Sequence, residues 1–249
     1  MADWTSYSIL FGGGLLAGAL NVVAGGGSFL TLPLMIFLGM PADVANGTNR
    51  VGILLQNVGA VWGFHRYRVL PWSFLLLAGL PSMAGSALGA ALALWISPES
   101  FKNILAILMV AVSLWTLWDP LSGLQKPEEL SRNRRLWLVV AFFAAGLYGG
   151  FIQAGVGFLL LAATTLAGLD LVRGNAVKVL SVLLFTCVSL AIFVWQGKVL
   201  WLPGLSLAAG TALGGLAGVR LTVLKGHAWV RWVVTATILI FAFKLLWSY

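Results

Sequence analysis

Apolar residues run along this chain in long uncharged blocks rather than alternating with polar ones. Residues 69–96, "VLPWSFLLLAGLPSMAGSALGAALALWI", carry no charge at all, and a helix needs only about 20 such residues to cross a bilayer. Read this way, the pattern predicts spanning helices near 45–64, 70–95 and 101–118, and again near 175–195, 200–222 and 230–247. Each set is preceded by a longer apolar segment broken by glycines, at 6–38 and 137–168. Between the sets, "DPLSGLQKPEELSRNRR" (119–135) holds Pro, Gly and seven charged residues and is the one clearly aqueous stretch. The expected fold is an all-α polytopic membrane protein of about 8–10 membrane segments. Its expected parts are a first repeat over 1–118, a cytoplasmic linker over 119–136 and a second repeat over 137–249.

The two sets are copies of one plan. At an offset of 129 residues, Gly26 falls on Gly155, Phe29 on Phe158, Gly39 on Gly168 and Asn46 on Asn175. Farther along, Phe64 falls on Phe193, Trp72 on Trp201, Gly85 on Gly214 and Leu117-Trp118 on Leu246-Trp247. Chance likeness between membrane helices would mostly match Leu, Ala and Val; these matches are mostly Gly, Trp, Asn and Phe in a constant register.

Charge orients the halves. Arg66 and Arg68, with Lys126, Arg132, Arg134 and Arg135 of the linker, make one side basic and therefore cytoplasmic. In the second half the bias moves one loop on, to Arg220, Lys225 and Arg231, so the halves are expected to have opposite orientation. Inverted repeats of this kind hold substrate at the midplane on interrupted helices in many secondary transporters.

Polar residues inside the apolar blocks mark the candidate site. "AGGGSF" (24–29) contains Gly25, Gly26, Gly27 and Ser28, and is matched by "QAGVGF" (153–158) with Gln153, Gly155 and Gly157. Glycines in succession break a helix, and the freed backbone groups must be buried in protein or line a wet cavity. The segment after the first break, 28–38, is too short to span a bilayer at 1.5 Å per residue, so it reads as a half-helix capped by the Ser28 hydroxyl. Its N–H groups and positive dipole end suit an anion.

A second cluster, "ANGTNR" (45–50), carries Asn46, Thr48, Asn49 and Arg50, and is matched by "GNAVKV" (174–179) with Asn175 and Lys178. An intramembrane charge is a functional-site hypothesis by default. Small residues also serve close helix packing, and Arg or Lys also snorkel to headgroups. The duplication of breaks and basic residues side by side favours a site. Asn21, Gln56 and Asn57 are candidate pathway residues, while Asp43 and Asp170 read as helix-start caps at the interface. His65 and His227 fall at loop ends.

Composition fits this class and removes others. The 249 residues are 60% hydrophobic and 9% charged, against about a quarter charged in soluble domains. A net charge of +8 invites nucleic acid, but the basic residues are scattered at block ends, where the positive-inside rule explains them. The single cysteine, Cys187, excludes an internal disulfide and reads as packing. No basic n-region precedes "MADWTSYSILFGG", so no removable signal peptide is expected. Enzyme, metal-binding and cofactor readings find no nucleophile–base pair and no acidic or His cluster in the spans.

The broken glycine segment, the Pro-Leu half-helix and the Ala-x-Gly-Thr-Asn motif, all duplicated, resemble the TauE/SafE family of sulfite and organosulfonate exporters. The residues that carry the likeness are 24–50 and the weaker echo at 154–179, where Val156 interrupts the glycines and Ala162 stands in place of Pro33. The resemblance implies a bacterial inner-membrane transporter of small sulfur anions such as sulfite, thiosulfate or an organosulfonate. Two cations, Arg50 and Lys178, then match a dianion or a sulfonate-carboxylate. Alternating access is the expected mechanism, with a passive anion channel of the same architecture as the competing reading. Substrate choice is expected to lie at Gln153, Val156 and Lys178.

Overall fold

The computed structural model describes residues 4–118 and 132–225, and the secondary structure there is α-helical with no strand. The first half contributes α1 (Trp4–Ala24), α2 (Ser28–Phe37), α3 (Ala42–Arg66), α4 (Phe74–Trp95) and α5 (Pro98–Trp118). The second contributes α6 (Arg132–Phe151), α7 (Val156–Leu166), α8 (Leu171–Trp195) and α9 (Trp201–Lys225). Among the described residues, α1, α4, α8 and α9 are long and apolar enough to cross a membrane. The expected last span, 230–247, and most of the linker lie outside the described residues.

The elements correspond at the offset seen in the sequence, α8 starting 129 residues after α3. Local chemistry sets the shared boundaries. Gly39 and Gly168 take positive φ (86° and 85°) just after α2 and α7 and turn the chain, a conformation costly for other residues. Pro41 and Asp170 then open α3 and α8, so both begin earlier than the apolar blocks suggested. Asp170 caps as expected, accepting from the N–H groups of Val172 and Arg173. Asp43 does not cap: Pro41 holds that position, and the Asp43 carboxylate pairs instead with Lys198 at 2.7 Å. Helix α6 begins at Arg132, inside the stretch read as linker: arginine is a good helix former, and three of the four residues before the apolar run at Leu136 are arginine.

Backbone contacts at small residues show the directions. Gly14 and Gly18 of α1 lie against Leu207 and Thr211 of α9, so these helices run parallel. Gly85 and Gly89 of α4 lie against Phe143 and Leu147 of α6 in the same sense. Small residues are what allow such close approach. Gly52, Gly59 and Gly63 of α3 meet Leu207, Leu216 and Val219 of α9, again parallel. By contrast α3 and α8 are antiparallel: Arg50 reaches Ser189, whereas Phe64 packs with Ala176 and Val179.

Helices α1 and α3 therefore point the same way, and α2 must carry the chain back between them. It does so antiparallel to α1, with Gly27 against Ala17 and Asn21 and Leu34 against Gly13. Each broken segment is thus a hairpin that leaves the bundle at the end where it entered. Outside, Trp4, Trp95, Trp195 and Trp201 stand exposed at helix ends, and Leu16, Leu80, Leu88 and Val140 face outward from helix middles. That is the distribution of interfacial aromatics and lipid-facing apolar residues. Cys187, expected to be packed, is also exposed on α8.

Candidate functional site

The tips of the two hairpins meet. Gly25 has φ +93°, and a Cβ placed on it would overlap the backbone of Gly157; the converse also holds. Around this contact lies a cavity to which each half gives five residues: Asn21, Gly25, Ser28, Ile53 and Asn57 from the first, Gln153, Val156, Gly157, Lys178 and Val182 from the second. Ser28 with Gly157, and Ile53 with Val182, are equivalent positions at the repeat offset. A water-sized centre has about 10 Å³ in which to move, room for a single water. Aspartate and glutamate side chains are absent from the lining.

Helix α2 starts at Ser28 as the sequence suggested, but its N-cap is Gly27 and no side chain caps it. The Ser28 hydroxyl instead accepts from Asn49 Nδ2 (3.4 Å), while Thr31 Oγ1 donates to Asn49 Oδ1 (2.7 Å). Gly27 serves packing, pressed on the Ala17 carbonyl, and Gly26 lies under the Phe158 ring. At the second break Gly155 takes φ +76°, as a glycine readily does, whereas Gln153 takes φ +63°. A left-handed non-glycine costs about 1–2 kcal/mol, and such strain concentrates at functional sites.

Both polar motifs, 45–50 and 174–179, reach across to the opposite half. Arg50 Nη1 donates to the Gly149 carbonyl (3.1 Å), Gln153 Oε1 (3.0 Å) and Ser189 Oγ (2.7 Å). Its Nη2 donates to the Gly150 carbonyl (2.6 Å) and Asn46 Oδ1 (3.4 Å), and the guanidinium lies 4.6 Å from the Phe193 ring centre. Asn46 Nδ2 adds a bond to the Phe151 carbonyl (2.8 Å). In the other direction Lys178 Nζ donates to the carbonyls of Asn21 (3.0 Å) and Val22 (2.8 Å), and Asn175 Nδ2 to that of Val23 (3.4 Å). So α3 caps the end of α6, and α8 caps the end of α1. Carbonyls left open at a helix end in a dry interior are costly, and cations there also offset the negative end of the dipole.

This sorts the sequence candidates. Gly25, Ser28, Gln153, Gly157 and Lys178 line the cavity, joined by Asn21 and Asn57. Asn21 Nδ2 donates to Gln56 Oε1 (3.2 Å), and Asn57 Nδ2 to the Ile53 carbonyl (2.7 Å). Arg50, Asn46 and Asn175 are buried beside the cavity, held by helix-end carbonyls. Thr48 is elsewhere: its hydroxyl accepts from the Leu200 N–H and anchors the α8–α9 loop. Residues the motifs did not reveal are Ser189, Thr186 and Phe193, which surround Arg50 and Gln153; Gln153 Nε2 donates to Thr186 Oγ1 at 2.8 Å. Of these only Phe193 had a signal, its repeat match with Phe64.

Two glycine-broken hairpins that meet around a polar cavity within an apolar helical bundle define a membrane transporter. Comparison with known proteins agrees. The chain belongs to the family described as Sulfite exporter TauE/SafE, whose profile matches residues 10–245. A "Probable membrane transporter protein" of Haemophilus influenzae is 31% identical over 229 residues, covering 90% of this chain and 88% of that protein. The "Probable membrane transporter protein YfcA" of Escherichia coli K12 is 30% identical over 245 residues, covering 96% and 89%. No solved structure matches the chain.

Proposed function

We propose that this protein exports a small sulfur-containing oxyanion, such as sulfite, thiosulfate or an organosulfonate, across the bacterial inner membrane by alternating access. The observation that carries the reading is the contact of Gly25 with Gly157 beside a cavity that holds Lys178, Ser28 and Gln153 and has no carboxylate. Amide and hydroxyl donors, two helix starts and one cation form a lining suited to an oxyanion.

Antiparallel α3 and α8, which occupy equivalent places in their halves, support an inverted repeat. Arg66, Arg68, Arg135, Arg173 and Arg220 fall toward one end of the bundle, which we read as cytoplasmic by the positive-inside rule. The cavity as it stands has room for a single water, so an anion enters or leaves only when the hairpin tips part from one side or the other. Rocking of one half against the other would do this while the site stays fixed.

The test is efflux from proteoliposomes loaded in turn with sulfite, thiosulfate, sulfoacetate, sulfate and taurine. Saturable efflux of at least one anion, accelerated by the same anion on the opposite side, is the expected result. Ohmic current without saturation would replace the carrier with a channel. Movement of none of them would discard the anion reading.

A further inference from the structure

The two buried basic residues, one position apart in the register of the repeats, are held differently. Arg50 is fully buried, its two terminal nitrogens meet five acceptors, and its plane lies on Phe193. It has no place on the cavity wall. Withdrawing it would leave the Gly149 and Gly150 carbonyls and Gln153 without their cation. Lys178, by contrast, gives two bonds to the end of α1 and lies on the cavity wall. An ammonium has three donors on a flexible stem, so one N–H is left for the cavity among the described residues.

Charge then counts the ligand. The described acidic residues are Asp43, Glu99 and Asp170, and none lines the cavity, which leaves Lys178 as its one charged side chain. We propose that Lys178 alone supplies the charge that meets the anion, that Arg50 is a positioning residue holding the end of α6, and that the site takes one oxyanion head of a single negative charge. A sulfonate or hydrogensulfite fits this description; sulfate, a dianion, would bring one charge too many into a dry site. The inference rests on the proposed anion transport and narrows it. It differs from the expectation that both cations together match a dianion or a sulfonate-carboxylate.

The test uses the full chain in proteoliposomes at constant ionic strength, with methanesulfonate and sulfate as probes and Lys178→Gln, Lys178→Arg and Arg50→Lys as variants. Melting temperature and elution profile establish that each variant is folded. For methanesulfonate, Lys178→Gln should raise KM about 30-fold, the loss of one charge-assisted hydrogen bond, and Lys178→Arg should restore part of it. Arg50→Lys should keep KM within about 3-fold while lowering kcat, since it disturbs the α6 end and not the wall. Wild type should bind methanesulfonate at least about 10-fold more tightly than sulfate. Equal KM effects at the two positions, or equal affinity for the two probes, would overturn the inference and leave anion transport standing. If wild type moves neither these anions nor any sulfur oxyanion of the wider panel, the transport reading falls and takes this one with it.

Discussion

Gly25 and Gly157 occupy the same point in the two hairpins' meeting place, so close that neither has room for a side-chain carbon. One residue from each half therefore sets how near the breaks approach, and the halves must move relative to one another if the tips are to part. Gly157→Ala pushes a methyl group into the Gly25 backbone. Overpacking of this kind costs about 1–3 kcal/mol, and transport should fall to background. Gly12 provides the contrast, because a Cβ there meets nothing within 4 Å. Gly12→Ala should leave transport unchanged and gain up to about 1 kcal/mol, as alanine favours a helix over glycine. Melting temperature and efflux, measured on both variants, check the pair; equal losses would show that the tip contact has no special role.

Gln153 holds two effects in opposition. Its backbone sits at φ +63°, which glycine would relieve, yet its side chain accepts from Arg50 and donates to Thr186. Relief of the strain is worth about 1–2 kcal/mol. A hydrogen bond to a charged group is worth about 1.5–3 kcal/mol, and here a buried guanidinium would lose an acceptor. The bonds win, so Gln153→Gly should lower stability by about 1 kcal/mol despite the easier backbone. A raised melting temperature in that variant would show that the side-chain bonds contribute little.

The breaks, the duplication, the half-helix beginning at Ser28 and the two basic residues were all legible in the sequence, because each leaves a local mark. Glycine runs disrupt helix propensity, and charge inside an apolar block stands out against it. What each group bonds to was not legible. Arg50 meets carbonyls 99 and 100 residues away, and Lys178 meets carbonyls 157 and 156 residues away. Carbonyls carry no side-chain signature, so cross-capping by the opposite half leaves no motif. Asp43 resembled a cap because caps are local, and its partner Lys198 belongs to a loop of the other half. Ser189 and Thr186 were hidden for a further reason: small hydroxyl residues in an apolar helix usually bond to their own backbone.

The Asp43–Lys198 pair closes one end of the bundle, and its counterparts under the repeat are Val172 and Val69, which pack in one apolar cluster. One end is thus joined by charge and the other by apolar contact. The Asp43 side chain is 8% exposed and that of Lys198 is 40% exposed, so solvent screens half of the pair. The expected coupling is about 0.5–1 kcal/mol, at the upper end for an exposed ion pair. A double-mutant cycle with Asp43→Asn and Lys198→Gln, read by melting temperature at low and high salt, measures it. Coupling should shrink as salt rises. Additive effects at both salt concentrations would mean the pair contributes no net stability.

Transport of a singly charged anion with no co-moving ion carries current, and the membrane potential then sets its direction. Moving one charge through 100 mV is worth about 2.3 kcal/mol, so an inside-negative potential of that size should sustain about a 50-fold excess outside. The cavity supports this stoichiometry, since its one charged side chain, Lys178, is matched by one negative charge and no carboxylate is present to carry a proton. Proteoliposomes holding methanesulfonate, with the potential set by a potassium gradient and valinomycin, provide the measurement. Efflux should accelerate when the interior is made negative and slow when the gradient is reversed. Efflux indifferent to potential but responsive to a pH gradient would instead mean that a proton crosses with the anion, and the site would then be releasing a neutral acid rather than the bare anion.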